Sequence, residues 1–347
     1  MDSFRRIIGK FVNKLRKIGR EAVVMTPGPL ENMFIVSGKL PANSTPLTAP
    51  IWLPAQNARH MRPDDPVLGL LVDGLPYALP WWILKNHHVA NLTLEGRPIV
   101  VKLCEICSSA AAFNPVLQDT RLTFQAIGAY KGTFVTMDHE TRSIWASFTG
   151  ECLTGPLRGK QLEQLPLYQA TWAEWISLHS RSLVPDGRGE QRQGHGAHMF
   201  PGSAESDRGM AKTLVHRDER LPFNELVLGV KSDGHARVYP LVRLHQVGPV
   251  LNDALGAQKI VIFSKPKSWM AMAFSCEVDG KCLVFKSSED GKIVDRDTMS
   301  LWNMFGQATS GPLAGRSLAF MPSLVEEWSA WAAYLPATEI FDGPNRP

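Results

Sequence analysis

Two cysteines separated by two residues carry the clearest chemistry in the sequence. Cys104 and Cys107 follow Ile99–Leu103, an apolar run that predicts a buried strand, and His87 and His88 precede that strand. Two thiols at this spacing can converge on one metal ion or close a small disulfide loop. One or both imidazoles could complete a Cys/His ligand set, and such a set favours zinc or copper(I). The pattern therefore indicates a site that could hold a zinc or copper ion.

Two other interpretations of the same residues remain open at this level. A thiol of lowered pKa, assisted by His87, would make Cys104 and Cys107 catalytic as a nucleophile or as a redox pair. Alternatively, the two cysteines are small apolar residues at the end of a buried strand, and His87 caps a helix. The sequence has no second cysteine pair at zinc-finger spacing, and Ser108 follows Cys107, which excludes covalent attachment of c-type haem.

The remaining cysteines are scattered along the chain. Cys152, Cys276 and Cys282 stand apart from the pair, and we expect them to be inert. An odd total of five cysteines, without a secretory signal, indicates a reducing compartment. We therefore expect the protein in the cytoplasm, with peripheral attachment to a membrane as an option. His195 and His198 lie in a Gly-rich segment and could reach a site as part of a lid.

The elements that must position the cluster occur twice in the chain. Val67-Leu68-Gly69 and Asp73-Gly74 recur 160 residues later as Val227-Leu228-Gly229 and Asp233-Gly234. Further pairs follow at offsets of 157 and 156 residues: Asp138 with Asp295, Trp145 with Trp302, Gly155-Pro156-Leu157 with Gly311-Pro312-Leu313, Trp172 with Trp328, and Trp175 with Trp331. Offsets that change by only a few residues are typical of a duplication with small insertions and deletions.

The sequence therefore predicts an α+β fold of two tandem, strand-rich pseudo-repeats with short helices, related by a pseudo-twofold axis. In each copy an Asp-Gly dipeptide between apolar runs predicts a hairpin. The aromatic segments Trp81–Leu84, Trp172–Leu178 and Trp328–Tyr334 predict short helices. The predicted parts of the chain are a basic amphipathic helix at 1–20, a connecting segment at 21–63, a first repeat unit at 64–184, a linker or lid loop at 185–223 and a second repeat unit at 224–341.

Comparison of the two copies separates scaffold from candidate chemistry. Features shared by both copies, such as the paired tryptophans, are most simply structural. The cysteine and histidine cluster occurs only in the first copy. The second copy has Lys265 and Ser268 in place of the two cysteines, and Val247 and Gly248 in place of the two histidines. We therefore expect a single chemical centre, in the first unit.

The order of these motifs resembles the bacterial family called "domain of unknown function 3179". The segments that carry the resemblance are Asp64-Asp65-Pro66-Val67-Leu68-Gly69, Tyr77-Ala78-Leu79-Pro80, Gly96-Arg97-Pro98, Cys104-x-x-Cys107-x-Ser109, Ser143-Ile144-Trp145 and Thr171-Trp172. The family usually has Cys-Pro-x-Cys-Gly/Asn-Ser, whereas this chain has Glu105 and Ser108. The family histidine is usually followed by Glu-Val-Val-Asn-Asp, so an acidic pair is missing here, and His88 could add a ligand. The resemblance indicates which residues form the site, but it does not indicate which reaction they perform.

The charge distribution makes nucleic acid an unexpected partner. Residues 1–20 hold seven basic side chains and one acidic one, a net charge of +6. The net charge of the whole chain is +4, so the remaining residues have a net charge of −2. Apolar residues such as Phe4, Ile8 and Leu15 form one stripe along 1–20. This helix could contact an anionic membrane surface, a protein partner or its own domain. No apolar run reaches the roughly 18 residues that a membrane-spanning helix needs.

The function expected from these features is a metal- or thiol-dependent enzyme or redox protein with one centre in the first unit. A small-molecule substrate would enter where the two units meet, which is a common place for pockets. The alternative is a non-catalytic binding or assembly protein, docked through residues 1–20, with a structural metal or none. Motifs for dinucleotide binding, phosphate loops, serine-hydrolase elbows and zinc proteases are absent from the sequence.

Overall fold

The chain is rich in strands, and its helices are short. The computed structural model describes residues 24–27, 30, 33–37, 45–105, 107–190, 192, 213–214 and 217–343. The α-helices of these residues are Trp81–Leu84, Trp172–Leu178, Leu241–Val247 and Trp328–Tyr334, and a 3-10 helix spans Ala55–Asn57. The α+β class is therefore confirmed. No helix among the described residues combines the length and apolar character needed to cross a membrane. The predicted helix at 1–20, and His195 and His198, lie outside the described residues.

The first half of the chain forms three larger sheets and a short hairpin. A five-stranded sheet has the spatial order Tyr168–Thr171, Pro66–Val72, Leu75–Pro80, Leu183–Pro185, Trp52–Pro54. A four-stranded sheet has the order Glu163–Leu165, Ser109–Asn114, Arg97–Cys104, Val89–Leu94. A six-stranded sheet has the order Val24–Pro27, Phe34–Ser37, Phe124–Tyr130, Thr133–Asp138, Ile144–Ala146, Cys152–Thr154. The short hairpin consists of Val116–Leu117 and Thr120–Arg121.

The second half has sheets of closely similar order. One sheet has the order Ser323–Glu327, Leu226–Ser232, His235–Pro240, Glu339–Ile340. A three-stranded sheet has the order Val250–Leu255, Gln258–Ser264, Ala271–Ser275. A further sheet has the order Phe285–Ser287, Ile293–Asp295, Leu301–Trp302, Ala308–Ser310, and a short hairpin consists of Glu277–Val278 and Lys281–Cys282. In both halves a central hairpin is flanked by the strand that leads into the last α-helix of that half.

The Asp-Gly dipeptides form the predicted hairpin turns. Asp73 and Gly74 have φ angles of 49° and 80°, and Asp233 and Gly234 have 45° and 80°. Positive φ at both central residues defines a type I′ turn, which suits the right-handed twist of paired strands. The hairpin Pro66–Val72 with Leu75–Pro80 and its counterpart in the second half follow from these turns.

Buried tryptophans fix the same contacts in both halves. A Cβ added to Gly69 would lie 2.1 Å from the Trp175 ring, and a Cβ added to Gly229 would lie 2.1 Å from the Trp331 ring. Only glycine allows the indole to lie against the strand at this distance. Six tryptophans that the sequence pairs between the copies are buried, which confirms their predicted core role: Trp145, Trp172, Trp175, Trp302, Trp328 and Trp331.

Two hydrophobic cores combine residues of both halves. One core combines Val67 and Trp175 of the first half with Phe263 and Trp302 of the second. Another combines Val100, Phe113 and Phe124 of the first half with Leu324, Trp328 and Trp331 of the second. As a result, Ser109–Asn114 of the first half packs beside Ser323–Glu327 of the second. This packing places the end of the second-half strand against the cysteine pair.

Cys276 and Cys282, which the sequence analysis treats as scattered, inert cysteines, form a disulfide with each other. The hairpin of Glu277–Val278 and Lys281–Cys282 turns through Asp279 and Gly280, which both have positive φ. This turn brings the two sulfurs together across a separation of six residues. The pattern Cys-x-x-Asp-Gly-x-Cys therefore carried a signal that the spacing of the cysteines alone did not reveal.

Candidate functional site

The predicted cysteines lie in a tight connection between two buried strands. Arg97–Cys104 pairs with Ser109–Asn114, with Cys104 opposite Ser109. The connection between these strands contains Glu105, Cys107 and Ser108, and we call it the cysteine loop. Ser108 has a φ of 50°, which favours small or polar residues at this position. Cys104 is fully buried, and Cys107 is 3% exposed. The Cys107 thiol lies 4.0 Å from the carbonyl oxygen of Cys104.

Two carboxyl groups of the second half hold this loop. The hydroxyl of Ser108 donates a hydrogen bond of 3.0 Å to Glu327 Oε1, and the hydroxyl of Ser109 donates one of 2.9 Å to Glu326 Oε2. The backbone N–H of Glu327 also donates to the carbonyl of Cys107, at 3.3 Å. Both glutamates are buried. The centre therefore consists of a thiol pair from one half and a carboxyl pair from the other.

Burial favours the protonated forms of Cys107 and Glu326. The pKa of the Cys107 thiol is raised well above its usual value, first by burial and then by contact with Cys104 and the charge of Glu327. Burial raises the pKa of Glu326 to about 8, although the hydrogen bond from Ser109 lowers it. Near neutral pH the buried centre thus holds a Cys107 thiol and a Glu326 carboxyl that is mostly protonated.

A small cavity adjoins the carboxyl pair. It has a volume of about 10 Å³, and Lys231, Glu326 and Tyr334 are among the residues that line it. A volume of about 10–15 Å³ is enough for one water molecule where polar partners are available. The Tyr334 hydroxyl donates to the carbonyl of Tyr130 at 3.0 Å, and burial raises the pKa of Tyr334 above its usual range. The cavity is therefore about the size of one water molecule and lies at the edge of the centre.

The two predicted histidines occupy different surroundings. Nδ1 of His88 lies 3.5 Å from Oε2 of Glu105, a residue of the cysteine loop. The His88 ring packs on Phe134 with 4.5 Å between ring centroids. His87 instead has its Nδ1 2.5 Å from the carbonyl oxygen of Thr45 and its Nε2 2.9 Å from Oε1 of Glu190. The structure therefore brings His88 to the cysteine loop and engages both ring nitrogens of His87 elsewhere.

The metal-binding interpretation gains no geometric support from this arrangement. Across residues 45–105, 107–190 and the other described segments, no three or more His, Cys, Asp or Glu side chains form a group that could hold a metal ion. Zinc sites in proteins take at least three such ligands. A set of Cys104, Cys107, His87 and His88 around zinc or copper therefore stays a prediction.

Three polar residues of the buried interior escaped the sequence reasoning. Glu326 and Glu327 align with Ala170 and Thr171 of the first half, at the same offset of 156 that pairs the tryptophans. Lys102 is fully buried in the strand that leads to the cysteine loop, where the second half has Phe263 at an offset of 161. The comparison of copies could have found all of them, because each one replaces an apolar or small residue at a paired position.

Comparison with known families agrees with this structure. The family described as "Protein of unknown function (DUF3179)" matches residues 39–342, nearly the whole chain. Neither the curated proteins nor the solved structures include a significant match. The resemblance inferred from the motifs is thus confirmed over both halves, including the cysteine loop and the Glu326–Glu327 strand end. The chain belongs to the DUF3179 family.

Proposed function

We propose that this protein is a thiol redox protein in which Cys104 and Cys107 alternate between a dithiol and a disulfide. The observation that carries the proposal is the position of the thiol pair, which is buried and clamped between Glu326 and Glu327 by the hydrogen bonds of Ser108 and Ser109. A two-residue spacing suits a small disulfide ring. A neighbouring carboxylate can accept the proton that a buried thiol must lose before it reacts.

The energetic cost of this arrangement supports a chemical role. Burying a carboxyl group is unfavourable, and groups with strongly shifted pKa values cluster at sites that perform chemistry. The pKa of Glu326, raised to about 8, is a measure of that cost. Such a pKa also suits proton transfer near neutral pH, because the group can both accept and release a proton.

The proposed reaction is exchange with a small disulfide. The Cys104 sulfur attacks one sulfur of the incoming disulfide, a new S–S bond forms, and the first thiolate leaves and takes the proton that Cys104 released. Cys107 then passes its proton to the ionised form of Glu326, which is a minor but present fraction near neutral pH, and the Cys107 sulfur attacks Cys104. This step closes the Cys104–Cys107 bond and releases a second thiolate, which is protonated in turn. Two electrons thus pass from the protein to the substrate.

The roles of the two cysteines follow from their surroundings. The raised pKa of Cys107 makes it a poor initial nucleophile, so we assign it the resolving step and Cys104 the first attack. Neither sulfur is accessible when the loop is closed. Exchange therefore requires the cysteine loop to separate from Glu326 and Glu327, and the two serine hydrogen bonds control that opening.

The test is a redox titration of the full chain. With Cys276 and Cys282 joined in a disulfide, three cysteines are free: Cys104, Cys107 and Cys152. After equilibration with oxidised and reduced glutathione, mass spectrometry should find a Cys104–Cys107 disulfide while Cys152 stays free. Cys104→Ser and Cys107→Ser should abolish this disulfide, and Cys152→Ser, at another buried free cysteine, should retain it. Absence of the Cys104–Cys107 disulfide at every glutathione ratio would refute the proposal.

The proposal is accompanied by predictions about the domain organisation, the attachment and the location of the protein. The similar strand orders and the matched Gly–Trp contacts favour a duplicated unit, with boundaries near 64–184 and 224–341. Attachment to a membrane or partner through 1–20 and a cytoplasmic location remain predictions. The disulfide of Cys276 and Cys282 favours a compartment that is at least partly oxidising.

A further inference from the structure

A groove of about 850 Å³ lies between the two halves of the molecule. The first half contributes residues 161–166, and the second half contributes 231–236 and 320–322. This volume falls in the range of about 300–1,000 Å³ that is usual for small-molecule sites. Neither Cys104 nor Cys107 lines the groove, so it is a separate feature from the thiol pair.

Lys231 is the residue that joins this groove to the interior. Its side chain lines both the groove and the small cavity beside Glu326. Burial lowers the pKa of Lys231, whereas the charges of Glu326 and Glu151 raise it from longer range. Among the described residues, no carboxylate lies within ion-pair distance of the Lys231 ammonium and no acceptor forms a hydrogen bond with it. A half-buried cation without a direct partner is available to a ligand.

The fold does not require a cation at this position. Lys231 corresponds to Leu71 in the first-half hairpin, at the offset of 160 residues that pairs the two Asp-Gly turns. The two hairpins have matching registers, with Leu71 opposite Pro76 and Lys231 opposite Ala236. The same hairpin therefore forms with leucine or lysine, and the amine is a feature of the second half alone.

We propose that the groove binds a small molecule through a carboxylate or phosphate group held by the ammonium of Lys231. The other charged groups of the groove, Glu163 and Asp233, are exposed at its rim, and Glu163 accepts a hydrogen bond of 3.1 Å from Asn114. These carboxylates repel an oxyanion at the rim, so the oxyanion belongs at the inner end, beside Lys231. The remainder of the ligand, uncharged or cationic, occupies the rim.

Binding of malonate and inorganic phosphate to the reduced full chain, measured by calorimetry, tests this proposal independently of thiol exchange. We expect saturable binding of at least one probe, weakened at least tenfold in Lys231→Met and largely retained in Lys231→Arg. Lys281→Met removes an exposed lysine that pairs with Asp297 outside the groove, and it should bind like the wild type. The preferred probe identifies the oxyanion as carboxylate or phosphate. Absence of binding for both probes, or equal affinity in Lys231→Met and the wild type, would overturn the proposal.

A second measurement keeps the proposal testable if Lys231→Met does not fold. In the wild type, an amine-reactive ester should label Lys231 more slowly when the bound probe is present at saturation. The labelling rate of Lys281 should not change. Equal protection of both lysines, or protection of neither, would show that the probe does not occupy the Lys231 end of the groove.

Discussion

Replacing the buried Lys102 with methionine should raise the free energy of unfolding, and the size of the gain should depend strongly on pH. The ammonium of Lys102 donates a 3.0 Å hydrogen bond to Oγ1 of Thr136 and lies 4.4 Å from the centroid of the Phe124 ring. Burial lowers its pKa from 10.5 to about 7, although the charge of Asp138 raises it. The difference corresponds to about 5 kcal/mol of preference for the neutral amine in the folded state.

The sign of the effect follows from proton linkage. Between about pH 7 and pH 10.5 the unfolded chain binds more protons at Lys102 than the folded chain does, so stability from this group falls as pH decreases through that window. The cost is about 5 kcal/mol at pH 6 and about 2 kcal/mol at pH 9. Lys102→Met removes this cost and loses a hydrogen bond worth about 1 kcal/mol. We therefore expect net stabilisation of about 4 kcal/mol at pH 6 and about 1 kcal/mol at pH 9.

Urea unfolding followed by tryptophan fluorescence, at pH 6, 7.5 and 9, measures this difference. Lys259→Met is the matched control, because Lys259 is an exposed lysine on the strand of the second half that corresponds to the Lys102 strand. The control should change the free energy of unfolding by less than about 0.5 kcal/mol at each pH. A Lys102→Met gain that is equal at pH 6 and pH 9, or a loss at pH 6, would refute the assignment of Lys102 as a buried amine with a lowered pKa.

Three further predictions concern other parts of the fold. Glu326→Gln should stabilise the protein by an amount that grows as pH rises from 4.5 through 8, up to about 5 kcal/mol. The reason is that the raised pKa of Glu326 makes the wild-type protein lose stability over this pH range, whereas glutamine does not ionise. Urea unfolding at pH 5 and pH 9 measures the difference. Gly69→Ala should lower the free energy of unfolding by about 3 kcal/mol, since its Cβ would overlap the Trp175 ring; an unchanged melting temperature would contradict this packing. Cys276→Ser should lower the free energy of unfolding by about 2 kcal/mol through loss of the bond to Cys282, and in a Cys107→Ser background, where the cysteine loop cannot form its own disulfide, reducing agent should then have no further effect.

Local patterns in the sequence predicted the secondary structure near the site well. The Asp73-Gly74 turn fixes the hairpin because few other dipeptides adopt two consecutive positive φ angles at low cost. The helix Trp172–Leu178 begins at Thr171 with a capping box to Glu174, and it has the predicted bounds. Both features depend on neighbours within a few residues, which is why the sequence alone is sufficient.

The contacts between the halves were not predictable in the same way. A pattern of apolar residues shows which face of a strand is buried, but it does not show which other strand covers it. The sequence indicated Cys104 and Cys107 as the candidate centre, yet their buried partners Glu326 and Glu327 are more than 200 residues away. The placement of His87 depends similarly on Glu190, which lies in the segment predicted as a linker.

The clearest argument for chemistry at the cysteine loop comes from the corresponding loop of the second half. There Lys265 stands at the position of Cys104, and its ammonium forms an ion pair of 3.1 Å with Glu174. The pKa of Glu174 is lowered, because hydrogen bonds from Thr171 and Lys265 outweigh the effect of burial. An ordinary, partly exposed ion pair is therefore enough to close this position in a fold of this kind. The cysteine loop is closed instead by buried carboxyl groups, one of which has a raised pKa of about 8, at a cost in stability of several kcal/mol. Since a similar sheet forms in the second half with the less costly ion pair, the fold alone does not explain the thiol and carboxyl groups, and the proposed redox exchange gives a reason for their presence.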